Sequence, residues 1–180
     1  MSSTRRRNFL RDKYFYLSFL KFLTIIYTEI QKELETMKIK LIESWYNAEE
    51  GKSFAKIRTD YGEFEGWAKL HEEDKDIASR YAGCQYAETR AVLKYMKHRI
   101  KILACQITAL INCQKQMERR AAYNPQSVEG RALRKQIYIL QAERKDWQSK
   151  YNSLHEKLYF AMDNRQKIVG KMIADNKKGD

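Results

Sequence analysis

Arginine stands beside aromatic and amide side chains at two places in this sequence, and alone in an apolar pattern at a third. Around Tyr123-Asn124-Pro125 lie Arg119, Arg120, Arg131, Arg134 and Lys135. A guanidinium fork binds phosphate bidentately, a tyrosine ring offers a stacking face, and an asparagine amide can read an adenine edge. The same residues also suit a solvated loop with ordinary helix-end charges. Arg80-Tyr81, just before Gly83-Cys84, repeats the guanidinium and the ring at an expected helix start, where free backbone N–H groups favour an anion. Arg144 and Arg165 fall on seam positions of a heptad pattern, where an uncompensated charge is costly. Each is a candidate anion ligand. Equally, a carboxylate from a neighbouring helix could pair with it, or its stem could snorkel along the seam edge.

Signatures of catalysis are missing. There is no GxGxxG, P-loop, HExxH or GxSxG, so the spacings that cradle phosphates, hold zinc or expose a nucleophile are not present. His71, His98 and His155 are far apart in sequence, which argues against a metal cluster. His71 is followed by Glu72, Glu73, Asp74 and Asp76, most simply a solvated loop at a strand end. Cys84 lies near an expected helix start, where the dipole lowers a thiol pKa, and Cys105 and Cys113 lie eight apart on one helix. Structural burial is the default for all three, as free thiols in a reducing compartment. The expectation is a protein that is not an enzyme and that uses no metal or cofactor.

The elements that must position these residues follow from composition and period. The chain has 180 residues, 43% apolar and 32% charged, with one proline and seven glycines. That suits one globular domain built mostly of regular structure. Net charge is +12, and residues 91–180 carry nineteen Lys/Arg against eight Asp/Glu, while residues 37–90 carry nine against eleven. A polyanionic partner would therefore contact the C-terminal half.

Residues 1–36 open on Arg5-Arg6-Arg7 and continue through an apolar run from Tyr14 to Thr28 interrupted by Lys21. The run is short for a membrane span, which needs about 20 apolar residues, and it lacks a signal-peptide cleavage pattern. An additional N-terminal helix docked on the domain is the alternative, as is a true start at Met37. A membrane partner is not expected, and the location expected is cytoplasmic. From Met37 the period is two. Ile39 and Leu41 alternate with Lys38 and Lys40, and Phe64, Gly66, Ala68 and Leu70 alternate with Glu63, Glu65, Trp67 and Lys69. With a loop at Asn47–Gly51 and a turn at Asp60–Glu63 whose glycine can take positive φ, this predicts an antiparallel β-meander within 37–76.

Residues 77–180 read as a helical hairpin, about 83–122 and 127–175. Leu93, Met96, Ile100, Leu103, Ile107, Leu110 and Met117 recur at 3–4 spacing in the first helix. Leu133, Ile137, Leu140, Arg144, Trp147, Tyr151, Leu154, Leu158, Ala161, Arg165, Ile168 and Met172 do so in the second. These are coiled-coil seams. Pro125 biases Asn124 away from helix, and Ser127 is placed to cap the second helix. The fold class is thus α+β: a small antiparallel meander, then a long two-helix coiled-coil hairpin. A hairpin that long outreaches a three-stranded sheet, which predicts a homo-oligomer through the helices, a dimer or a higher closed form such as a hexamer.

The stretch Tyr61-Gly-Glu-Phe-Glu-Gly66-Trp-Ala-Lys-Leu-His-Glu-Glu-Asp74, then Ala82-Gly-Cys-Gln-Tyr-Ala-Glu-Thr-Arg90 and Lys94-Tyr95, looks like small phage and prophage proteins of Gram-positive bacteria. Within that group the chain is similar to the phage anti-Thoeris sponge proteins (Thoeris anti-defence protein, first type), over residues 37 to about 175. Residues 1–36 have no counterpart. The resemblance implies a protein that binds the cyclic ADP-ribose isomer signal of Thoeris immunity without cleaving it, inside an infected bacterial host. It also implies assembly through the helices with ligand pockets between subunits, and in some members separate sites for cyclic oligonucleotides. It assigns no ligand residue one by one, so the candidates remain Arg80, Tyr81, Arg119, Arg120, Tyr123, Asn124, Arg131, Arg134 and Arg144. Two other readings fit the residues: a basic nucleic-acid-binding phage accessory protein resembling a recombination mediator, and a structural coiled-coil assembly protein with no ligand.

Overall fold

The computed structural model describes residues 39–69, 80–119 and 124–177, with side chains as far as Asp163. The expected N-terminal helix, the acidic run at 71–76, and Arg120 and Tyr123 lie outside these residues. Three strands come first: β1 (Lys40–Asn47), β2 (Lys52–Thr59) and β3 (Gly62–Lys69). They form an antiparallel sheet in the order β1-β2-β3. Two helices follow, α1 (Arg80–Arg119) and α2 (Val128–Lys177). The α+β class, the meander and the hairpin are as the periods predict. The first helix begins three residues earlier than expected, because Gly83 continues the helix instead of preceding it.

Local chemistry explains the turns. Asn47 Oδ1 accepts hydrogen bonds from the N–H groups of Glu49 and Glu50, at 3.0 and 3.3 Å, and Gly51 closes the turn at φ +60°. In the second turn Thr59 Oγ1 donates to the Gly62 carbonyl at 3.0 Å and accepts from the Tyr61 N–H at 3.1 Å. Gly62 sits at φ +111°, a conformation that L side chains avoid.

Register sorts the sheet into two faces. Leu41, Ile57 and Phe64 share the inner face with Ser44, Ala55, Gly66, Tyr46, Ser53 and Ala68. Helix α1 covers that face at short range because the contact residues are small. Ala55, Ala68 and Ala87 form one buried cluster, and at Gly66 a Cβ would stand 2.0 Å from the Ala87 carbonyl oxygen. The main core joins Ile39 and Ile57 to Ala91, Val92, Leu93, Tyr95 and Met96 of α1 and to Leu154 and Leu158 of α2. Tyr95 is the centre of an aromatic knot, with Phe64 at 5.5 Å and Trp147 at 5.6 Å between ring centroids. Burial pushes its phenol pKa up, and the charge of Asp60 adds to the effect.

The seam of α1 follows the predicted positions, with Leu93, Met96, Leu103 and Ile107 buried and Ile100, Leu110 and Met117 half-buried. In α2 one position departs. Arg144 is exposed, and Glu143 turns toward α1 instead. Glu143 follows Leu140 by three and precedes Trp147 by four, which keeps it on the seam side and lets its carboxylate meet Arg99 of α1. From Thr108 to Arg119 no residue of α1 is buried, so the distal hairpin is a bare two-helix arm.

Candidate functional site

Arginine is the residue type that carries the candidate chemistry, and the fold divides the described arginines into two groups. The first group ties elements together. Arg58 donates from Nε and Nη2 to Glu63 Oε1 at 3.1 and 2.7 Å. Arg90 donates from Nη1 to the Trp67 carbonyl at 2.7 Å, reaching from α1 to the edge of β3. Arg99 donates to Glu143 Oε1 at 2.7 Å and to the Tyr61 hydroxyl, with its guanidinium 4.6 Å from the centre of the Tyr61 ring. That places turn, α1 and α2 on one cation. Arg134 donates to the Pro125 carbonyl at 2.6 Å and so fastens the interhelical loop to α2.

The second group has no such work. Arg119, Arg131 and Arg144 are exposed, and their side chains make no ion pair or hydrogen bond among the described residues. Lys135 is exposed as well. Arg80 lies with its guanidinium 5.5 Å from the centre of the Tyr46 ring, at the start of α1. Its neighbour Tyr81 is 57% exposed, so this cluster keeps a ring and a cation on the surface. The side chain of Arg165 lies outside the described residues.

The loop at the hairpin tip is built by the residues expected to read a base. Asn124 Oδ1 accepts from the Gln126 N–H at 2.9 Å, and the Asn124 carbonyl accepts from the Ser127 N–H at 3.1 Å and from its hydroxyl at 2.8 Å. Bidentate reading of adenine needs both ends of the amide, and here the oxygen end is held in an Asx turn. Ser127 Oγ accepts from the Gly130 N–H at 3.0 Å, the cap predicted from sequence. Arg134 is likewise committed to the loop.

Distance separates what the sequence lists together. Arg131 and Arg144 are thirteen residues apart on α2, or roughly 20 Å at 1.5 Å per residue. Arg80 and Arg119 stand at opposite ends of α1, roughly 58 Å apart. The candidates therefore occupy three places: the start of α1, the hairpin tip and the middle of α2.

The thiols are free, with Cys84 half-buried and Cys105 and Cys113 exposed; the expected burial of the last two is not what the fold provides, since they face away from α2. Among the described residues no group of three His, Cys, Asp or Glu side chains could hold a metal ion, and no described helix is long and apolar enough to cross a membrane. His98 and His155 contact rings, His98 against Phe64 and Tyr61 and His155 against Tyr151 and Tyr159.

Two arrangements have weak signals in the sequence. The Arg99–Glu143 pair joins residues forty-four positions apart, and neither belongs to the expected seam. Register also aligns Trp45, Phe54 and Trp67 in one row across the outer face of the sheet. The alternation that sets Trp67 opposite Phe64 and Ala68 was the available clue. Comparison of the chain with models of known families, with curated proteins and with solved structures returns no match in any of the three.

Proposed function

We propose that this chain is a binding protein without catalytic activity, whose helical hairpin takes a phosphate-bearing nucleotide and keeps it intact. Following the resemblance, the ligand is a cyclic ADP-ribose isomer, and the role is to withdraw that signal from Thoeris immunity. The observation that carries the reading is the exposure of Arg119, Arg131 and Arg144, whose side chains have no partner among the described residues, while Arg58, Arg90, Arg99 and Arg134 are held within the fold. Arginine left unpaired on a helix surface is a ready fork for phosphate. The roughly 20 Å between Arg131 and Arg144 means that one small ligand meets only one of them per copy.

The same spacing favours a second reading. Exposed cations strung along a protruding arm suit a linear polyanion, so a nucleic-acid strand lying along α2 is the competing ligand. Calorimetric titration with cyclic ADP-ribose isomers, followed by heat release and chromatography of the ligand, tests the first reading. It expects tight binding, intact recovered ligand and little dependence on salt, and loss of binding when Arg119 and Arg131 become alanine. Absence of binding to any cyclic nucleotide, with binding to DNA that weakens steeply between 50 and 200 mM salt through counterion release, overturns it in favour of the second.

A further inference from the structure

The inner face of the sheet is covered by α1, and the outer face is not covered by any described element. On that outer face the register places Trp45 beside Phe54 beside Trp67, one from each strand. The Trp45 and Phe54 rings stack at 5.2 Å. Trp45 is 44% and Trp67 51% exposed. Two tryptophans in water on one short sheet form an apolar stripe of the kind that marks an interaction surface. On one side of the stripe stands a row of Glu43, Lys56 and Glu65; on the other stands Asn47, Lys52 and Lys69. Lys52 already pairs with Glu50 at 2.7 Å, and Lys56 with Glu63 at 2.7 Å and with Glu65 at 3.8 Å. One flank thus carries two carboxylates to one ammonium, and the other two ammonium groups and an amide.

We infer that this outer face is a self-association surface, and that its occupant is a second copy of the same chain packed sheet to sheet about a two-fold axis along the aromatic row. Rotation about that axis lays each ring row on its equal and turns the acidic flank of one copy onto the basic flank of the other. Glu65 then faces the partner's Lys69, twice by symmetry. Lys40 and Arg58 continue past the acidic flank toward the partner's β1–β2 turn, which carries Glu49 and Glu50. Charge elsewhere disfavours the alternative through the helices, since residues 91–180 carry nineteen Lys/Arg against eight Asp/Glu and would bring two strongly basic surfaces together. The face measures roughly 14 by 26 Å from strand spacing and rise. A pair of copies buries on the order of 1,000 Å², the lower limit for a specific interface, so the dimer is a reversible one.

Sedimentation of the full chain over a wide concentration range tests this, with Trp45→Glu/Trp67→Glu as the variant and Tyr138→Glu/Tyr159→Glu as the control on the exposed face of α2. Both pairs are surface residues, and far-UV circular dichroism checks that each variant keeps the fold. The expected result is a concentration-dependent dimer for wild type and control, and at least a hundredfold weaker association for the tryptophan pair. A dimer that survives the tryptophan changes and dissociates in the control places the interface on the helices and overturns the inference. So does a wild-type monomer in which quenching finds Trp45 and Trp67 shielded, since the chain's own residues 1–38 would then cover the face, and so does a monomer in which they are open to the quencher.

Discussion

Three glycines lie where the sheet meets α1 or turns, and alanine at each tests a different physical contact. At Gly66 an ideal Cβ falls 2.0 Å from the Ala87 carbonyl oxygen and 2.5 Å from the Ala91 nitrogen. Both are helix backbone, and neither can rotate away. Relief requires α1 to lift by roughly 1.5 Å, and a gap of even 0.5–1 Å forfeits about a quarter to a half of each dispersion contact along the interface. The small-residue contacts of Ala55, Ala68 and Ala87 would open with it. Gly66→Ala should therefore cost about 3 kcal/mol, the upper end of overpacking changes. At Gly62 nothing lies within 4 Å, and the cost comes from φ +111° alone, about 1–2 kcal/mol for a side chain held in a sparsely populated region. At Gly83 the nearest atom is Ser53 Oγ at 2.3 Å, the end of a side chain that can rotate. Alanine also gains about 1 kcal/mol of helix propensity there, so Gly83→Ala should be near neutral. Urea denaturation followed by far-UV circular dichroism reads the series, and with m near 2 kcal/mol/M the Gly66 variant should unfold about 1.5 M earlier. A Gly66→Ala protein within about 0.5 kcal/mol of wild type would refute close contact of α1 with β3, and a Gly83→Ala protein as damaged as Gly66→Ala would refute the freedom of Ser53 to rotate away.

Three further outcomes follow from single contacts. Ser127→Ala removes the oxygen that receives the Gly130 N–H and should lower stability by about 1 kcal/mol, measurable in the same urea titration and absent in Ser127→Asp. A double-mutant cycle on Arg99 and Glu143, whose side chains are 18% and 35% exposed, should give a coupling of about 1 kcal/mol, held down by the solvent that reaches the carboxylate; Arg144→Ala should leave stability within about 0.5 kcal/mol. Glu63 accepts a hydrogen bond from Lys56 and then from Arg58, and these hold its carboxyl below the ordinary 4.5. Its contribution is present above that pH and is lost as pH falls through the lowered value. The thermal midpoint of wild type should thus exceed that of Glu63→Gln at pH 6, with the difference closing as pH falls below 4.5 and through the lowered value.

How much of this was legible follows from the range over which each signal acts. Period two located the strands, and its phase alone assigned Phe64, Gly66 and Ala68 to the inside and Trp67 to the outside. The 3–4 spacing located both helices and most of the seam. Pro125 and Ser127 marked the break and the cap. All of these are local, since a residue's face is fixed by neighbours within a turn or two. Arg144 marks the boundary of that logic. The pattern offers the slot between Leu140 and Trp147 to either of two adjacent residues, Glu143 or Arg144, and Arg99 on the facing helix decides it in favour of the carboxylate.

The candidate site was less legible because arginine chemistry depends on what stands across the gap. Arg99, Arg90 and Arg134 look no different in sequence from Arg119, Arg131 and Arg144. The first three find a turn hydroxyl and a carboxylate, a strand carbonyl and a loop carbonyl, and each partner is supplied by the way two elements dock. Asn124 shows the same dependence at short range, since the proline that follows it turns the chain so that its amide oxygen closes the loop on Gln126. What distinguishes a binding arginine from a structural one is thus whether the fold leaves its donors unanswered. By that criterion the hairpin tip keeps Arg119 and Arg131 and surrenders Arg134 and the oxygen of Asn124. A phosphate held there would meet cations at the end of α1 and the start of α2, beside a turn at Asn124–Ser127 that its own hydrogen bonds hold.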